Sequence, residues 1–179
     1  MKKLILPIAL TLFTVLFRLA GIEYPLLLNV TPLLALFLCF RKELKDYLWI
    51  PFMGYMLSDI ILSSHYGYSI NPGMMLMNLA ILWGIVYQIG NTKKFGLVSK
   101  TFFATTAFYI ITSTYAWLVD PVYTKSFIGW VSALTIGEPG YPMAILFYLS
   151  SLVGNLGFAA LFSKVNSLVL DKPARQKIG

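Results

Sequence analysis

The chain has 179 residues, of which 58% are apolar and 12% charged, with a mean hydropathy of +0.75. A soluble domain carries about 25% charged and about 45–50% apolar residues, so the composition excludes a soluble globule, a disordered tail and a secreted domain. The expected class is an all-α polytopic integral membrane protein, a single transmembrane domain over residues 1–179. At about 20 residues per span plus short loops, the length accommodates six transmembrane helices.

The apolar runs divide into spans near 4–20, 26–40, 47–64, 72–89, 101–119 and 142–163, with an outer loop at 120–141 and a tail at 164–179. The formal charge of +7 raises the question of an anionic partner, and its distribution answers it. With the N-terminus in the cytoplasm, 12 of the 14 basic residues lie inside, and only Arg18 and Lys125 lie outside. This is the positive-inside asymmetry. Both termini are expected in the cytoplasm, the bilayer is the expected partner, and nucleic acid is not, since no soluble patch mixes basic and aromatic residues.

Met1-Lys2-Lys3 ahead of an apolar run imitates a signal peptide. A cut after Ala20 would put Arg18 where a small residue is needed, so 4–20 reads as a retained helix. In the second span, Asn29-Val30-Thr31-Pro32 carries a helix-start signal, and Asn71-Pro72 opens the fourth in the same way. A second helix beginning near Pro32 would be too short to cross about 30 Å of hydrocarbon. The preceding backbone would then have to be buried in protein or line a cavity. Cys39, the single cysteine, excludes an internal disulfide and reads as a small packing residue. Between Thr124 and Gly137, Phe127, Trp130, Val131 and Leu134 recur at helical spacing, which predicts a short helix lying along the outer interface or capping the bundle.

Ionisable groups inside a span cost about 2.5–3.5 kcal/mol on insertion scales, so each needs a partner or a use. Arg18 in the first span and Asp59 in the third sit at similar depth, which predicts an ion pair that either fixes helix register or lines a ligand site. Asn29, Thr31, Ser58, Asn71, Asn78, Thr112, Ser113, Thr114 and Tyr115 all fall in outer halves of spans, while the inner halves are apolar. The expectation is a polar cavity open to the outside and sealed below. Asn155 lies near the middle of the last span. His65, the sole histidine, reads as an exposed loop residue or a ligand contact. One histidine without nearby carboxylates is poor metal chemistry. No nucleophile–base grouping, paired carboxylates or phosphate loop is present, so neither an enzyme nor a metal or cofactor is expected.

Several segments in order along the chain resemble a domain-of-unknown-function family of small six-helix bacterial membrane proteins. They are Asn29-Val30-Thr31-Pro32, Ser58-Asp59, Thr112-Ser113-Thr114-Tyr115-Ala116-Trp117, and Tyr123-Thr124-Lys125-Ser126 with Gly129. The family pattern has Asn where this chain has Ser113, Pro where it has Thr124, and Gly-Asp where it has Gly154-Asn155. That family is in turn similar to the substrate-binding S-components of energy-coupling-factor vitamin transporters. The resemblance implies a six-helix S-component-like bundle in the bacterial inner membrane, with an outer ligand pocket covered by 21–25, 64–71 and 120–141. S-components also show two small residues four apart on the first helix, where this chain has Ala9 and Phe13.

The function expected is capture or transport of a small vitamin-like solute from the outer face, with 120–141 as the lid. Coupling or ATPase subunits, or a larger membrane complex, would be its partners. The expected pocket residues are Arg18, Asn29, Thr31, Asp59 and His65, together with Asn78, Thr112, Thr114, Trp117 and Asn155. The alternative is an accessory structural subunit of a larger membrane complex, with its polar residues gluing helices together.

Overall fold

A computed structural model describes residues 2–24, 33–43, 45–66, 72–139 and 143–170. Among them the chain forms seven α-helices and no strand. These are α1 (Lys2–Ala20), α2 (Leu33–Glu43), α3 (Trp49–Tyr66), α4 (Pro72–Gly90), α5 (Leu97–Val119), α6 (Phe127–Thr135) and α7 (Ala144–Leu170). Proline is accommodated where a first turn lacks partners for its N–H groups anyway, at Pro51 in α3 and Pro72 in α4. Two stretches, Leu97–Val119 and Ala144–Lys164, are long and apolar enough to cross a membrane. The α1 and α4 helices contribute shorter apolar stretches, Pro7–Ala20 and Met75–Gly90. The six-span expectation therefore holds in a coarser form, as an all-helical fold with two helices of membrane-crossing length.

The 11-residue helix α2 is the centre of the bundle. It packs against α1, α4, α5 and α7, and Leu34 through Phe40 are each at most 3% exposed. A helical stretch that is apolar all round has no face to give to water, and 34–40 is buried all round as that pattern requires. One face joins Ala35, Leu36, Cys39 and Phe40 to Ile50, Phe158 and Phe162. The other joins Leu34, Phe37 and Leu38 to Leu82, Val86 and Ala104. Of the expected span 26–40, residues 33–40 are helical, and 26–32 lies outside the described residues.

Around this centre, α1 packs on α3, and α5 packs on α4 and most extensively on α7. Gly54 allows the α1–α3 approach, because a Cβ there would overlap the Thr11 methyl. The short helix expected between Thr124 and Gly137 exists as α6, and its apolar stripe is divided, with Trp130 and Leu134 half-buried and Phe127 exposed. Phe127 and Ile128 are 74% and 80% exposed, whereas Gly129 and Ala133 are buried against the chain. Gly129 is required by the turn that enters α6, because a Cβ there would run into the Thr124 carbonyl.

Candidate functional site

The segment from Asp120 to Met143 is fastened at both ends. At the end of α5, the Trp117 indole N–H donates to the Thr124 carbonyl (2.9 Å), and Lys125 Nζ donates to the carbonyls of Trp117 and Asp120. Ser126 caps α6 by accepting from the Gly129 N–H (3.2 Å). The Trp130 indole N–H then donates to Thr114 Oγ1 on α5 (2.9 Å). At the other end, Gly137 turns the chain at a φ of 80°, which favours glycine, and the Ala144 N–H donates to the Ile136 carbonyl (3.2 Å). Burial, reinforced by the Glu138 and Asp120 carboxylates, holds the Tyr123 hydroxyl above its ordinary range. So α6 is strapped from the end of α5 to the start of α7.

Gly129→Ala should loosen this strap by about 1–3 kcal/mol, the usual cost of overpacking. Limited proteolysis should then cut within 120–136 sooner than in wild type, while helix content by circular dichroism stays unchanged.

Beside the strap, α5 and α7 flank an open cleft of about 260 Å³. Its walls carry four hydroxyl residues, Thr105, Thr112, Ser113 and Ser151, and four rings, Phe108, Tyr109, Phe147 and Tyr148. Tyr109 and Tyr148 stack with centroids 4.6 Å apart. The hydroxyl groups of Tyr148 and Thr106 are hydrogen-bonded (2.9 Å). Thr105 and Thr112 donate to the Thr101 and Phe108 carbonyls one turn back (both 2.8 Å), leaving their oxygens as acceptors. Tyr109 Oη is buried with no hydrogen-bond partner among the described residues. None of the described lining residues is charged.

A second polar cluster lies elsewhere, between α1 and α3. Arg18 Nη2 bonds Asp59 Oδ1 (2.6 Å), Nη1 donates to Ser58 Oγ (2.7 Å) and the Tyr55 carbonyl (3.3 Å), and the guanidinium lies 4.6 Å from the Tyr55 ring centroid. The adjoining void is about 10 Å³ and borders Thr11, whose hydroxyl has no partner among the described residues. That space suits about one water and is too small for a vitamin-sized molecule. Arg18 is engaged by protein groups, and its cluster shares no residue with the cleft walls.

The sequence-predicted residues thus separate into groups. Thr112 lines the cleft, Thr114 and Trp117 hold the strap, and Arg18 and Asp59 form the expected ion pair. Asn155, 1% exposed, accepts from the Ala35 N–H in the first turn of α2 (2.9 Å) and donates to Ser151 (2.8 Å to O, 3.2 Å to Oγ). It therefore supplies, from another helix, a partner for one of the first-turn donors of α2. Asn78 is half-buried on α4, and His65 is exposed at the end of α3. Asn29 and Thr31 lie outside the described residues.

The cleft residues that sequence reasoning missed are mainly Tyr109, Tyr148 and Ser151. A signal for them exists. Thr105, Tyr109 and Thr112 repeat at helical spacing on α5, and Tyr148, Ser151 and Asn155 do so on α7.

A protein-family model described as a family of unknown function (DUF6580) matches residues 1–176. No curated protein and no solved structure matches.

Proposed function

From the premise that this chain belongs to the DUF6580 family of unknown function, we propose that it is a six-span inner-membrane protein. In this reading it captures a small vitamin-like solute from the outer face, in the manner of an S-component, with both termini cytoplasmic. The observation that carries the reading is the hydroxyl- and ring-lined cleft of about 260 Å³ between α5 and α7, with α6 strapped beside it. Small-molecule sites combine this kind of mostly apolar wall with a few placed polar groups.

The exterior of the bundle supports a lipid setting. Ile5, Ile8, Leu12 and Leu16 form an exposed stripe along α1, and Trp49, Met53, Leu57 and Ile60 form another along α3. Large apolar side chains in continuous exposed stripes belong against lipid or a partner rather than water. The mechanism is capture in the cleft followed by release inward, driven by coupling or ATPase subunits. No catalytic step is assigned to the chain.

Native mass spectrometry of protein gently extracted from its own membranes tests this. Wild type should carry a small-molecule adduct, and Ser113→Phe, which fills the cleft, should lose at least nine-tenths of it. Stoichiometric protein partners with no adduct would instead establish the accessory-subunit reading.

A further inference from the structure

We infer that the α5–α7 cleft takes an uncharged ring compound bearing a carbonyl, amide or hydroxyl group that hydrogen-bonds to Tyr109 Oη. The inference rests on the capture reading above and narrows it to a ligand class.

Charge decides the first half. None of the described cleft-wall residues is ionisable at neutral pH, since the walls offer only hydroxyls, phenols and apolar groups. Arg18, Lys100 and Lys125 are not among the described cleft-wall residues and are committed elsewhere. Arg18 is held by Asp59, Ser58 and Tyr55, Lys125 by two backbone carbonyls, and Lys100 donates to the Gly90 carbonyl (2.9 Å). A carboxylate or phosphate entering the cleft would give up its water and meet no opposite charge, which is strongly unfavourable. An anion therefore does not suit this site.

Polar bookkeeping decides the second half. Tyr148 already bonds Thr106, the Thr105 and Thr112 protons go to their own helix, Ser151 Oγ accepts from Asn155, and Ser113 is only half-buried, so its hydroxyl carries no comparable burial cost. Tyr109 Oη is the buried group on the wall with no partner among the described residues. Burying such a group unpaired is costly, so it is the natural point for a ligand hydrogen bond. The rings of Phe108, Phe147 and the stacked tyrosines supply flat apolar surface beside it. A volume of about 260 Å³ lies just under the range of about 300–1,000 Å³ typical of drug-sized ligands. One or two rings fit.

The test uses the full-length protein from its own membranes, as wild type, Tyr109→Phe and Ser113→Phe. Each is checked for a single helical species before the co-purifying small molecule is released, weighed and separated by charge. The expected result is a neutral ring compound, about 3- to 10-fold less abundant in Tyr109→Phe, as loss of one neutral hydrogen bond predicts, and absent from Ser113→Phe. Tyr109→Phe removes only an unpaired oxygen, so the empty protein should unfold at the same temperature or higher.

A compound that carries a carboxylate or phosphate yet disappears in Ser113→Phe overturns the inference and leaves the capture reading standing. So does a neutral compound whose occupancy ignores Tyr109→Phe. No compound in wild type, or one fully retained in a folded Ser113→Phe, overturns both.

Discussion

Arg18→Leu is expected to destabilise the folded protein by about 3 kcal/mol, the low end of what orphaning one member of a buried ion pair costs. The side chains of Arg18 and Asp59 are only 16% and 30% exposed, and the guanidinium serves Asp59, Ser58 and the Tyr55 carbonyl together. Removing it leaves the Asp59 carboxylate without its counter-charge and the Tyr55 carbonyl without one donor. The partial exposure of Asp59 keeps the cost below that of a fully buried pair. Thermal unfolding in one fixed detergent reads the loss directly.

Arg18→Leu combined with Asp59→Leu should recover most of it, because two apolar side chains of similar bulk replace both charges and leave neither orphaned. A double-mutant cycle then gives the coupling between the two residues. The same double variant separates the two roles foreseen for the pair. If the pair only fixes the register of α1 on α3, the recovered protein keeps any co-purifying small molecule. If it also contacts the ligand, stability returns but the small molecule does not. An unchanged unfolding temperature in Arg18→Leu alone would refute the structural role.

The second large effect is expected at Asn155. Asn155→Leu should cost about 2–3 kcal/mol, since it strands the Ala35 N–H in the core. That N–H lies at the start of the described part of α2, and Asn155 Oδ1 is its acceptor. Because α2 is central, the loss should spread to both apolar clusters it joins. The near-isosteric Asn155→Asp should keep most of the stability. As a neutral acid it can still accept from Ala35 and donate to the Ser151 carbonyl, and as an anion it faces the positive end of α2. Hydrogen exchange at Ala35 is the sharpest readout: accelerated in Asn155→Leu, close to wild type in Asn155→Asp. Equal exchange in all three proteins would show that the contact does not hold α2.

Much of the architecture was legible because it is local. Hydropathy marked the helices. The all-round apolarity of Leu33 to Phe40 is what places that helix at the centre. Matching depths were enough to pair Arg18 with Asp59. The face of α6 was not legible from its apolar stripe. Its seat is fixed by the hydrogen bond from Trp130 to Thr114 on α5 and by the burial of Ala133, contacts between chain segments rather than a periodicity.

The polar residues show the division most clearly. By itself, the sequence determined that this is an all-helical chain of membrane-like composition, and that its hydroxyl and amide groups gather towards one end of the helices. Those properties depend on composition and on position along each helix. Only the tertiary structure decided that these groups do not form one cavity. It sent Arg18 and Asp59 to the α1–α3 interface, Asn155 to the end of α2, Thr114 and Trp117 to the α6 strap, and Thr112 to a cleft with Tyr109 and Tyr148. The physical reason is rotation: depth is set by residue number along a helix. Which side chains meet is set by how each helix turns about its axis and by which neighbour it packs against.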